Sequence, residues 1–146
     1  MIAIGSDHGG YELKEHVKKH LSDKGIEVKD YGVFSEESVD YPDCAAPVCR
    51  AVQSGEAERG ILLCGTGIGI SIAANKFSGI RAALCSDVYS ALMAKQHNNA
   101  NILCLGGRVT GRELAFMIAD TWLNAEFEGG RHAARVEKIH NIEKEQ

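Results

Sequence analysis

The sequence predicts an α/β domain, a five-stranded parallel sheet covered by helices on both faces. Two observations carry this. Short strand-like segments at residues 1–5, 27–31, 59–64, 80–85 and 102–105, most of them apolar, alternate with stretches of helical periodicity, the order of successive βα units. The run through Ile61, Leu62 and Leu63 is apolar without interruption, as a strand buried on both faces must be. One domain over residues 1–146 accommodates the pattern, with an α/β core at 1–125 and a tail at 126–146.

The elements follow in order. Met1-Ile2-Ala3-Ile4 reads directly as a strand rather than as a leader segment, and Ser6-Asp7-His8-Gly9-Gly10 follows it. Leu13, Val17 and Leu21 recur at a spacing of four and predict the first helix, closed by Gly25. Residues 27–31 form the second strand and 33–39 a loop. Asp40-Tyr41-Pro42 marks a helix start, with Asp40 as N-cap and proline in the first turn. Ala45, Ala46, Val48, Cys49 and Val52 give that helix its apolar face, and Gly55 ends it. The third strand, 59–64, runs into a glycine turn and a helix at 70–76. After the fourth strand, a helix at 87–96 turns Val88, Ala91 and Leu92 inward and ends in the polar loop 97–101. Gly106-Gly107-Arg108 closes the fifth strand, and 111–125 is an amphipathic helix through Leu114, Met117, Ile118 and Trp122. Beyond a break at 126–130, residues 131–146 read as a last helix. It follows a complete core, so its stripe of Val136, Ile139 and Ile142 is expected to pack on a partner subunit.

Composition narrows the function. A net charge of −4 gives no general attraction to nucleic acid. No run of 18 apolar residues spans a membrane. Five cysteines, an odd number scattered through apolar stretches, predict a reduced, cytoplasmic chain. No Cys/His set has the spacing of a zinc site, so neither metal nor cofactor is expected. His16 and His20 have lysines between them and read as a solvated face.

The chemistry concentrates in Cys64-Gly65-Thr66-Gly67-Ile68-Gly69-Ile70. Strand, tight turn and helix succeed one another here, and the glycines leave backbone N–H groups open to a ligand. A thiol at the strand end, beside a helix start, offers a base or nucleophile next to an oxyanion pocket. Ile70 decides against three other loops. It stands where a P-loop needs its second glycine, with Ser71 in place of the lysine, where a dinucleotide fingerprint needs its third glycine, and where a cysteine-phosphatase loop needs arginine. Gly5, Gly10 and Asp30 mimic a second dinucleotide site, but Asp7 would repel a pyrophosphate there. Ligands of parallel sheets bind at the carboxyl ends of the strands. Four clusters, Asp7-His8, Cys64-Gly65-Thr66, His97-Asn98 and Arg108, are therefore expected to converge on that one edge. Each also has a structural alternative: Cys64 as a core residue, His97 as a helix C-cap, Asp7 as an N-cap. Arg131 and Arg135, four apart on one helix face, have theirs as an exposed polar surface.

These motifs resemble one family over essentially the whole chain. Residues 5–10, Asp40-Tyr41-Pro42, residues 64–76, Gln96-His97-Asn98 and Gly129-Gly130-Arg131-His132 with Arg135 are similar to the type B ribose-5-phosphate isomerases and the related galactose-6-phosphate isomerase subunits. The resemblance implies a Rossmann-like three-layer sandwich, a homodimer or tetramer, no metal, and a sugar-phosphate substrate. It implies Cys64 as the proton-abstracting base, Thr66 as a catalytic neighbour, and a loop of Gly65, Thr66, Gly67, Ile68 and Gly69 around the enediolate oxygen. His97 would open the furanose ring; Asp7, His8, Asn98 and Arg108 would bind substrate; Arg131 and Arg135 would hold phosphate. Ser71 stands where some members carry a catalytic glutamate, which favours Cys64. The tail further predicts active sites shared between two chains, Cys64 from one and the arginines from the other. The residues leave open a six-carbon sugar phosphate as substrate, or a non-catalytic flavodoxin-like binding dimer.

Overall fold

The computed structural model describes all 146 residues. Strands β1 (Ile2–Ser6), β2 (Val28–Asp30), β3 (Arg59–Cys64), β4 (Ala82–Leu84) and β5 (Ile102–Gly106) form one sheet in the order β2-β1-β3-β5-β4. Every pairing is parallel. Helices α1 (Tyr11–Asp23), α2 (Tyr41–Gln53), α3 (Ile68–Ala74), α4 (Val88–Gln96), α5 (Arg112–Asn124) and α6 (Arg131–Lys144) complete the chain. No helix is long and apolar enough to cross a membrane.

Strand alternation sorts the core into two layers. Ile2, Ile4, Ile61, Leu63, Leu103 and Leu105 point to one face, where α1, α4 and α5 cover them. Ala3, Leu62, Cys64, Ile102 and Cys104 point to the other, under α2 and α3. The expected three-layer α/β sandwich is present. The chain leaves β1 for β2 on one side and returns as β3 on the other, so a crevice opens above the ends of β1 and β3.

Several elements differ from the sequence reading. Leu114 and Met117 were expected inside α5, yet both are exposed, and Ala115, Ile118, Ala119 and Trp122 form its buried face. The helix packs closely through alanines, and the larger neighbours on its rim stay outside. His20 is not simply solvated: its ring stacks on Phe116 at 4.2 Å and its Nε2 lies 3.0 Å from Asp120, pinning α1 to α5. Asp40 caps α2 by backbone conformation only, without a side-chain bond. In α6, Val136 is buried against its own chain, while Ile139 and Ile142 are 49% and 60% exposed.

Lys14, in the first turn of α1, is fully buried. Its ammonium donates to both Asp30 oxygens, at 2.9 and 2.8 Å, and to the Val33 carbonyl. The rings of Tyr11 and Phe34 flank it at 5.3 and 5.0 Å. Asp30 also accepts from Lys18 and the Gly32 N–H, both at 2.8 Å. This network fastens the 31–40 loop to α1. It also explains why Asp30 serves no nucleotide: its oxygens are already engaged.

Burial alone would raise the Asp30 carboxyl, but the hydrogen bonds from Lys14, Lys18 and Gly32 outweigh it and hold the group below the ordinary carboxylate value. A depressed native pKa means stabilisation that is complete above the unfolded value of about 4 and is lost as the pH falls through the native one. Lys14→Met should cost about 1–2 kcal/mol, because the partly buried Asp30 carboxylate loses one of its two ammonium partners while Lys18 and the Gly32 N–H remain. Asp30→Asn should lose less stability than wild type between pH 7 and about pH 3. Urea unfolding at both pH values measures each effect.

Candidate active site

Three loops interlock at the carboxyl edge of the sheet. They are the turn after β1 (residues 7–10), the glycine turn after β3 (65–67) and the turn after β5 (107–110). Asp7 N–H donates to the Leu63 carbonyl at 3.1 Å, Gly107 N–H to Cys64 at 2.8 Å and Arg108 N–H to Gly65 at 2.9 Å. The backbones touch: a methyl group on Gly10 would come within 2.5 Å of the Leu63 backbone, and one on Gly107 within 2.5 Å of the Gly9 carbonyl. Gly67 has φ +79° and packs on the Leu105 backbone, so no side chain fits there.

Cys64 ends β3 with its sulfur accepting the Gly67 N–H at 3.1 Å. Thr66 Oγ1 accepts the Ile68 N–H at 3.1 Å, so its own O–H proton points elsewhere. The N–H groups of Gly67 and Ile68 are thus engaged. Those of Gly65, Thr66, Gly69 and Ile70 meet no protein acceptor and are the free donors of the loop. Ser71 turns its hydroxyl back to the Ile68 carbonyl at 2.7 Å. Arg108 lies over Gly65, its guanidinium 3.2 Å from where a methyl group there would sit. Asp7 Oδ1 caps the short turn before α1 through Gly10 N–H at 3.1 Å. His8 Nδ1 accepts the Val39 N–H at 3.2 Å, which leaves Nε2 as the N–H donor of the neutral ring.

The other cysteines are chemically quiet. Burial pushes the thiols of Cys44 and Cys85 up to about 11 and that of Cys49 to about 12. Burial likewise carries Cys104 well above its ordinary value. All five are free thiols, and only Cys64 lies in the glycine turn.

The expected convergence of four clusters does not occur within one chain. Asp7, His8, Cys64, Thr66 and Arg108 share the carboxyl edge, but His97 and Asn98 lie at the opposite one. The reason is chain direction: α4 runs back to the start of β5, and Asn101, just past His97, accepts the Gly60 N–H at the beginning of β3. Cys64 is four residues further along that strand, about 13 Å away by strand rise. Arg131 and Arg135 stand with His97. Glu128 N–H donates to the Gln96 carbonyl at 3.0 Å, and the rings of His97 and His132 stack at 4.0 Å. Both arginines are exposed and without ion pairs.

His132 and Glu128 were not among the sequence candidates. Their spacing of four residues, reaching into the start of α6, is the signal that could have found them. Burial, with His97 and Arg131 beside it, pushes the His132 imidazole below the ordinary histidine value. Each chain therefore carries two separate polar clusters: a sulfur with free amides at one edge, and imidazoles with unpaired guanidiniums at the other.

The whole chain has relatives. The chain is 56% identical to ribose-5-phosphate isomerase B of Escherichia coli, over 97% of this chain and 95% of that protein. It is 51% identical to the D-erythrulose-4-phosphate isomerase of Pectobacterium atrosepticum, over 94% of this chain and 91% of the relative. The crystal structure of Mycoplasma genitalium ribose-5-phosphate isomerase B with bound ribulose-5-phosphate matches with a TM-score of 0.94 at 44% identity, covering 99% of this chain and 97% of that one. The ribose/galactose isomerase family matches residues 2–139. With sequence and fold in agreement, the chain belongs to the ribose/galactose isomerase family.

Proposed function

We propose that this protein interconverts D-ribose 5-phosphate and D-ribulose 5-phosphate through an enediolate, a step of the pentose phosphate pathway. The observation that carries the reading is the Cys64 turn, a sulfur beside four unengaged N–H groups, in a chain 56% identical to a ribose-5-phosphate isomerase B. The Cys64 thiolate takes the proton from C2 of the open aldose. The electron pair moves to the carbonyl oxygen, where the free amides and the Thr66 hydroxyl stabilise it. The thiol returns a proton to C1, the C2 hydroxyl proton passes to the former carbonyl oxygen, and the ketose forms. No electrons enter or leave, so no redox cofactor takes part.

The remaining functions fall to the other cluster. His97 protonates the ring oxygen of the cyclic substrate, Asn98 orients it, and Arg131 and Arg135 hold the phosphate as planar bidentate donors. Asp7, His8 and Arg108 complete substrate binding on the cysteine side. Two chains in an isologous dimer bring unlike edges together, so each site joins Cys64 of one subunit to His97 and the arginines of the other. Support comes from the apolar surface that borders the glycine turn, where Ile68 and Ile72 are 51% and 59% exposed beside Tyr41, Leu84 and Val109. The uncovered Ile139 and Ile142 of α6 extend the argument to the tail, residues 126–146, as a subunit-joining segment on the 1–125 core. The five free thiols support a reducing compartment, the cytoplasm.

A second reading changes only substrate length. The D-erythrulose-4-phosphate isomerase relative, at 51% identity, favours testing it. Competing kinetics on four-, five- and six-carbon aldose phosphates decide between them, with the highest kcat/KM expected for ribose 5-phosphate. Cys64→Ala should lower kcat by about 10²–10⁴-fold at unchanged fold, since a positioned base is removed and little volume changes. Near-wild-type turnover by that variant would move the base elsewhere.

A further inference from the structure

We infer that His97, Glu128 and His132 form a binding site for one divalent transition-metal ion of the zinc class, and that its occupancy inhibits the enzyme. The three side chains come from the end of α4, the linker after α5 and the first turn of α6. Their ligand atoms all lie within 4.8 Å of one another. Glu128 Oε1 stands 3.4 Å from His97 Nε2 and 3.6 Å from His132 Nε2. Both separations are too long for good hydrogen bonds. They are the spacing of neighbouring ligands around a tetrahedral ion, about 3.4 Å for metal–ligand bonds of about 2.1 Å. The imidazoles that do hydrogen-bond within the chain are those of His8, His20 and His140, so His97 and His132 keep their nitrogens free.

The three residues are held near one another by the backbone. Glu128 and His132 are four residues apart, and the Glu128 N–H bond to Gln96 ties them to the end of α4. Both Nε2 atoms lie near the same carboxylate oxygen, and because the rings stack 11° from parallel, one imidazole turns about its Cβ–Cγ bond for both in-plane lone pairs to meet one ion. Two imidazoles and one carboxylate suit Zn²⁺, Co²⁺ or Ni²⁺ and leave a fourth position open to water. Inhibition rests on the reading of His97 as the ring-opening acid: an imidazole nitrogen bound to metal carries no proton to give.

The test uses untagged, metal-stripped full-length protein. Co²⁺ is titrated in and followed by its visible ligand-field bands, and Zn²⁺ displaces it. Wild type and Cys64→Ala should bind one ion per chain, and Glu128→Gln and His132→Ala should each bind at least about tenfold more weakly. Zn²⁺ should inhibit wild type in step with occupancy and release it on chelation. The proposal is overturned by absent Co²⁺ bands in wild type, by unchanged affinity in both ligand variants, or by a loss confined to Cys64→Ala. The bands are read without turnover. Co²⁺ bound as expected by a protein inactive on ribose 5-phosphate would support the metal site and sink the isomerase reading alone.

Discussion

A parallel sheet has two unlike edges, and a chain cannot place both ends of a βα unit on the same one. Strands deliver their last residues to the carboxyl edge, and helices deliver theirs to the amino edge. Cys64 ends a strand and His97 ends a helix, so one chain holds them apart. The same polarity places Asp7 and Arg108 with the sulfur, and Arg131 and Arg135 with the imidazole. Everything proposed about catalysis depends on this separation, because the chemistry needs base, acid and phosphate clamp around a single five-carbon sugar.

At the carboxyl edge, close backbone contact does the positioning. Three turns meet through glycines at distances no side chain allows, so the amides of residues 65–70 are fixed relative to the sulfur. Fixed donors suit an oxyanion better than mobile ones, since they need no reorganisation when the charge develops. Burial meanwhile raises the thiols of Cys44, Cys49, Cys85 and Cys104, and of the five only Cys64 has its sulfur in the glycine turn. The buried Lys14–Asp30 pair serves the same rim from below, because it anchors the loop whose Val39 N–H sets the tautomer of His8.

Much of this was legible in the sequence. Strand alternation and helical spacing placed every strand and helix of the sheet to within a few residues, and the glycine turn with its cysteine stood out by composition alone. The burial of Lys14 was not legible, because its partner Asp30 is 16 residues away and only the fold joins them. Nor was the outward turn of Leu114 and Met117, since periodicity cannot tell a face packed through alanines from one packed through larger side chains. The misplaced convergence of His97 had a different origin. A rule about strand ends was applied to a loop that follows a helix.

The central claim is that each active site joins two chains, and subunit complementation tests it most directly. Cys64→Ala and Arg135→Ala homodimers, each nearly inactive, would be unfolded together in equal amounts and refolded. Random mixing makes about half the dimers mixed, and each mixed dimer has one site with both defects and one with neither. The account predicts recovery to about a quarter of wild-type activity. No recovery in verified mixed dimers would mean that Arg135 serves the cysteine of its own chain, which contradicts the shared site.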